Sequence, residues 1–339
     1  MKKTWVVLLL ITFAQLTLGQ DFRISIGEIE FFGTNGFDIN SIRASMPSVA
    51  GREISQAEVE QVKTAIREAV TKVTGHSPTD VAVVCCDAHG IATVYIGLAN
   101  PNAVGSFRYN KSPGGSVRLP DQAIRLYEAT MELEVEAVQK NPVEDRSNGY
   151  SLSLYPPLRA KQLALREYAI SHEELVRRVA LRSADANQRA IAAHFLGYAR
   201  RSTAQINTLI SGSRDPDEGV RNNAVRALGV LIEAEAVIAK RIPADSFIDM
   251  LNSGTWTDRN KGGHLLAVLS KARDPRLMRQ LRVRALPSLI EMARWRDPKH
   301  ADDARIILGR VARLPENQLV KLVASGEVEQ IVSAALRQR

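Results

Sequence analysis

Two stretches of the 339-residue chain lie over one another without a gap: DANQRAIAAHFLGYA, residues 185–199, and DEGVRNNAVRALGVL, residues 217–231. Arg189 falls on Arg221, Ala192 on Ala224, Leu196 on Leu228 and Gly197 on Gly229. In the second copy Val220, Ala224, Ala227, Leu228 and Leu231 recur at steps of three and four, the period of one helix face. One such unit cannot bury its own apolar stripe, but stacked units can. The pattern therefore commits this part of the chain to packed helices. The small residues in the stripe favour close helix approach. Just upstream, Asp215 is the expected cap, Pro216 the first helical residue, and Glu218 stands three residues after the cap.

Looser echoes follow as DRNKGGHLLAVL, residues 258–269, and ADDARIILGRVA, residues 301–312, with helix starts at Asp274-Pro275 and Asp297-Pro298. An offset of 40 residues lays His264 on Ala224, and Gly262 and Gly263 make this copy irregular. The run from Asp215-Pro216-Asp217 through Val220-Arg221 and Ala224 to Ala227-Leu228-Gly229 resembles HEAT or armadillo-like helical repeats. That resemblance implies an all-α solenoid over residues 158–338. It also implies that Arg221, and with it Arg189, helps tie neighbouring repeats together.

The front of the chain has a different period. ISIGEIEFFG is expected as a strand ending at Gly33, and DINSIRASM as a short helix capped by Asp38. ISQAEVEQVKTAIREAVTKVTG then reads as a longer helix with Val59, Val62, Ile66, Val70 and Val73 on one side and Gly75 as its stop. DVAVVCCD and IATVYIGLA follow as two strands. Two helices and three strands over residues 22–98 resemble the POTRA domains of envelope assembly machinery, which implies partner binding by strand addition. Ile91, Val94 and Ile96 mark the strand first expected at the exposed edge, and the strand from Ile24 to Phe32 is the alternative. The fold class expected is α+β: a small two-helix, three-strand domain followed by a HEAT-like solenoid.

Residues 99–120 are expected as a linker, and 121–157 as a connecting helix and loop. In the linker Phe107 and Tyr109 either pack back on the domain or join Arg108 in a contact knob. Two lysines, an apolar run from Trp5 to Ala14 and small residues before Gln20 give residues 1–19 the grammar of a cleaved secretory signal. Export to a periplasm or the exterior is expected, with no transmembrane anchor in the mature form. The formal net charge is +8, spread without a dense basic block alternating with aromatics, so nucleic acid is not the expected partner.

Chemical motifs are sparse. The chain has no nucleophile elbow, no HExxH pair and no glycine-rich nucleotide loop, and nothing near Cys85 and Cys86 has zinc spacing. No catalytic residue, cofactor or metal is assigned. Of the scattered polar groups, Ser171 and Glu174 read as a capping box, and Glu132 and Glu136 as one face of a solvated helix. The adjacent cysteines are either one core and one covered thiol, or a vicinal redox pair. The functional expectation is a non-enzymatic envelope scaffold binding another envelope or secreted protein, with Ile91, Val94, Ile96, Phe107, Arg108, Tyr109 and Arg226 as candidate partner contacts. The alternative is a secreted hydrolase or redox enzyme using Cys85, Cys86, Asp87 and His89.

Overall fold

The computed structural model describes residues 5–6, 23–87, 89–98, 107–141 and 143–338. The expected leader, apart from Trp5–Val6, and the first part of the expected linker fall outside them. In chain order the elements are β1 (Trp5–Val6), β2 (Arg23–Phe32), α1 (Ile39–Ser45), β3 (Glu53–Ser55), α2 (Gln56–Thr74), β4 (Asp80–Val84) and β5 (Ile91–Gly97). Next come α3 (Asp121–Lys140), β6 (Val143–Asp145), β7 (Leu152–Ser153), α4 (Pro156–Ser171), α5 (Glu173–Arg182), α6 (Ala186–Leu196), α7 (Thr203–Gly212) and α8 (Glu218–Ala234). The series ends with α9 (Ala244–Met250), α10 (Trp256–Leu269), α11 (Pro275–Ala293), α12 (Pro298–Val311), α13 (Glu316–Ala324) and α14 (Val328–Arg337). The chain is α+β. Among the described residues no helix is long and apolar enough to cross a membrane.

Two compact units divide the chain, and their boundary differs from the expected linear order. One holds β1 and Arg108–Ser246; the other joins Thr17–Phe107 with Phe247–Arg339. The helices expected as one solenoid are thus shared between the units. The sheet strands β2 to β5 and the last helices belong together.

In the second unit the sheet has four strands, not three, in the order β3-β2-β5-β4. The extra strand β3 takes Ile54 and Ser55 from the expected start of the long helix. Glu58 accepts the Ser55 N–H and hydroxyl, both at 2.8 Å, and starts α2 at Gln56. At its far end Gly75 takes φ +75, the left-handed conformation that closes a helix. Asp38 caps α1 as expected. Val59, Val62, Ile66 and Val70 are buried against the sheet, whereas Val73 is 41% exposed and lies outside that core.

β2 runs parallel to β5, with a register irregularity between Ile26 and Ile29. That irregularity changes the phase of the strand: Ile24 and Ile26, then Ile29 and Phe31, enter one core with α1 and α2. Ala92, Val94 and Ile96 of β5 enter the same core, and Tyr95 points to the opposite face. There Tyr95 meets Trp256 of α10 at 5.1 Å and Trp295 at 4.9 Å between ring centroids, and Phe32 lies edge-on to Trp295. Glu291 of α11 fixes the turn after β2, accepting from the N–H of Gly33 and both the N–H and hydroxyl of Thr34.

In the first unit α5 packs on α6 and α7, and α8 packs on α6 and α7. Leu196 and Leu228 are fully buried, and Gly229 is buried within α8. Small residues set the approach: a Cβ at Gly197 would lie 3.4 Å from that of Ala227, and one at Gly212 would lie 3.1 Å from that of Ala224. Asp215 does not cap α8. Asp217 does, accepting from the Val220 N–H, so Pro216 precedes the cap. Asp215 instead takes a two-pronged bond from Arg189, 2.8 Å on each side. The Arg189 guanidinium also reaches the Ser183 and Ala184 carbonyls, while Arg221 reaches those of Asp215 and Pro216. Each arginine thus bonds the carbonyls six and five residues behind it, and Arg189 ties α6 to the loop that opens α8.

That same step recurs in the second unit, where Arg259 donates to the Ser253 carbonyl at 2.7 Å. It aligns Arg259 with Arg221 and Leu266 with Leu228, which moves the register of this copy two residues from the expected offset. His264 leaves the Ala224 position, stays half-buried and faces Asp303 at 3.3 Å. Asp274 and Asp297 cap α11 and α12 with proline in the first turn, as expected. Ser171 and Glu174 form no capping box: Ser171 ends α4, and His172 stands at the junction with α5.

Candidate functional site

The expected edge strand is interior. β5 pairs with β2 on one side and β4 on the other, Val94 and Ile96 are fully buried, and only Ile91 at the strand's start is exposed. β2, the alternative, is flanked by β3 and β5. The edges are β3, three residues long, and β4, five. Pairing order is set by contacts between distant segments, and an apolar strand buried on both faces carries no mark of its neighbours.

β4 is held from below and at one end. Val81 enters the sheet core and the half-buried Val83 packs against it, while Val84 is buried apart from that core and Ala82 is half-buried. At its start the Asp80 carboxylate accepts the backbone N–H of Trp256 at 2.8 Å, so the strand closes the first turn of α10. Burial pushes the Asp80 carboxyl above its usual range, against the pull of that hydrogen bond. Among the described residues β4 pairs with β5 alone.

The turn from β4 to β5 carries the cysteines. Cys85 and Cys86 are joined as a disulfide between adjacent residues, and both are half-buried at the margin of the sheet core. Asp87 shapes the turn: its side chain accepts the N–H of His89 at 2.7 Å and of Ile91 at 3.0 Å. Partial burial raises its carboxyl, but those backbone bonds outweigh it and leave the group below its ordinary value. His89 is exposed, and Lys299 donates to the Cys86 carbonyl at 3.2 Å.

The remaining candidates lie apart. Phe107 is buried, while Arg108 and Tyr109 are exposed, the Tyr109 ring lying 4.6 Å from the Arg221 guanidinium. The Arg108 carbonyl accepts from the Arg214 side chain. Arg226 belongs to the interior of the first unit, where it pairs with Glu144 and reaches the Ser151 hydroxyl. Glu144 is also bonded by Arg146 at 2.9 Å.

Around that ion pair the first unit gathers ionisable groups from several elements. Burial holds the Glu134 carboxyl of α3 up at about 7, Arg226 pulling it down and Glu144 pushing it up. Burial pushes the His194 imidazole of α6 down to about 3. Tyr127 packs edge-on against His194 at 5.2 Å, and Tyr198 lies 5.5 Å from it. Glu134 sits between Glu132 and Glu136, the two acids that stand out in the sequence, and does not stand out itself. A signal for it is present all the same: Glu134 falls one turn past the apolar line of Ala123, Tyr127 and Thr130.

Among the described residues no group of three or more histidine, cysteine, aspartate or glutamate side chains is placed to hold a metal ion. The strand edge can offer a partner backbone hydrogen bonds. The half-buried disulfide can exchange with a thiol. Compared with protein-family models the sequence matches none, and compared with curated protein sequences it matches none either.

Proposed function

We propose that this protein is a non-enzymatic envelope scaffold that binds an extended segment of another envelope protein along β4. The observation that carries the reading is the sheet order, which among the described residues leaves the five-residue strand Asp80–Val84 paired on one side only. An added strand would satisfy the outward N–H and C=O groups of β4 whatever its side chains, and their alternation would supply specificity. Asp80 is the only charged residue in the strand and is engaged by Trp256, so little guards the edge. In the same unit as the sheet, the helices from α10 onward, read as HEAT-like repeats, carry this edge through the Asp80–Trp256 bond. The arginine step shared by Arg189, Arg221 and Arg259 supports that reading.

The test is a photo-crosslinking side chain at Ala82, compared with one at the exposed Val283 of α11, in cells making the full chain. The expected result is one discrete crosslinked protein from Ala82 and none of it from Val283. Hydrogen exchange on the purified complex should then show new protection within Asp80–Val84. Protection elsewhere with β4 unchanged would refute strand addition. Turnover of a defined substrate, lost on changing Asp87 or His89 while folding and binding persist, would make the chain an enzyme.

A further inference from the structure

Adjacent cysteines joined to each other close no chain loop. A disulfide stabilises a fold mainly by restricting loops in the unfolded chain, an effect that grows with loop length. The Cys85–Cys86 bond, with a sequence separation of 1, has almost none of that to give. The turn also has its own support: the Asp87 N–H bonds the Ile91 carbonyl at 2.9 Å, and the Asp87 side chain takes two further N–H groups. Opening the sulfur bond leaves these in place.

The surroundings suit exchange. Both cysteines are half-buried rather than sealed, and His89 stands exposed on the same turn. Lys299, from the first turn of α12, brings a cation to the Cys86 carbonyl. A nearby cation stabilises a departing thiolate, and exchange is faster when the leaving thiol is more acidic. The one carboxylate of the turn, Asp87, is engaged by backbone N–H groups.

We propose that the Cys85–Cys86 disulfide is a thiol-exchange site, reduced and re-formed by a dithiol partner, with Lys299 as a positioning residue. The partner's thiolate attacks Sγ of Cys85; the S–S bond breaks and its electron pair leaves on Sγ of Cys86. The partner's second thiolate then attacks its own sulfur in the mixed disulfide, and Cys85 leaves as a thiolate. Two protons released by the partner's thiols end on the two cysteines. The dithiol is oxidised to a disulfide, and the vicinal disulfide is reduced to two thiols. This inference is independent of strand addition at β4.

The experiment uses the full chain in native buffer, with dithiothreitol as the dithiol and reduced glutathione at equal thiol concentration as the monothiol. Free thiols are trapped with N-ethylmaleimide and counted by intact mass. Two tags are expected with dithiothreitol, with unchanged circular dichroism and at least about tenfold faster than with glutathione, because Cys86 re-closes on a mixed disulfide. Lys299→Gln should slow the reaction about threefold and Lys299→Arg restore it, as expected for loss of a thiolate-stabilising charge. If Lys299→Gln does not fold, Lys299→Met, which removes the same charge and keeps the apolar stem, supplies the same readout. Tags that form only in urea, or equal rates with both reductants, would overturn the proposal.

Discussion

The two units fill their interiors in different proportions of ring and charge. In the second, Tyr95, Trp256, Trp295 and Phe32 fill the space behind the sheet with rings; the His300 imidazole packed against them is pushed by burial down to about 3, and burial raises the Tyr95 phenol. In the first, Glu134, Glu144 and Arg226 place charges or would-be charges inside, beside His194. Aromatic area stabilises in proportion to what is buried and responds little to pH. Buried charge stabilises only while its partners and protonation states agree. The sheet with its helices should therefore be the sturdier body, and Arg108–Ser246 the one that pH adjusts more.

The largest expected effect tests the aromatic side. Trp256→Ala should destabilise the second unit by about 3–5 kcal/mol, the range for truncating a buried tryptophan, by the same amount at pH 7 and pH 9. Denaturant unfolding checks both statements. Leu228→Ala follows in the first unit, at about 2–4 kcal/mol for a fully buried leucine. A change below about 0.5 kcal/mol, too small for a core leucine, would put Leu228 outside the packing between α6 and α8.

Glu134 sharpens the comparison through pH. Its folded carboxyl titrates near 7 and its unfolded value is 4.5, so the fold prefers the proton. The stability this gives is fully present below pH 4.5 and is lost as pH rises to about 7. Each tenfold difference in proton affinity between folded and unfolded chain is worth about 1.4 kcal/mol. Glu134→Gln should therefore match the parent at acid pH and exceed it by roughly 2–3 kcal/mol at pH 8. Equal stabilities at pH 8 would mean that Glu134 is not the buried acid described. His194 and His300 act in the other direction, favouring the neutral ring and removing stability as pH falls below 6.5. In the second unit Asp80, raised by burial, acts in the same direction as Glu134, so both units are pressed from both sides. The smallest effect is at Val73→Ala, expected within about 0.5 kcal/mol because the side chain is largely outside the core.

What the sequence discloses is local. Asp38 and Gly75 announce helix ends by chemistry contained within a few residues, and so do Asp274-Pro275 and Asp297-Pro298. The pairing of Arg189 with Arg221 is visible because both sit in the same local frame. The cap at Asp217 rather than Asp215 is hidden because the neighbouring repeat claims Asp215 through Arg189. Placing β5 between β2 and β4 needs contacts across more than sixty residues, and Tyr95 against Trp256 needs more than 150. No periodicity within one segment encodes those. For the candidate site, the cysteines and Asp87 are legible as residues, but the edge lies on the other strand of the hairpin, β4 rather than the expected β5.

Hydrogen exchange on the captured complex tests strand addition most directly. Amides of Asp80–Val84 that exchange in the free chain should gain protection of at least about tenfold when the partner is bound, as new backbone hydrogen bonds require, while β5 amides stay protected in both states. Unchanged β4 exchange in a verified complex, with protection on the helices instead, would contradict strand addition.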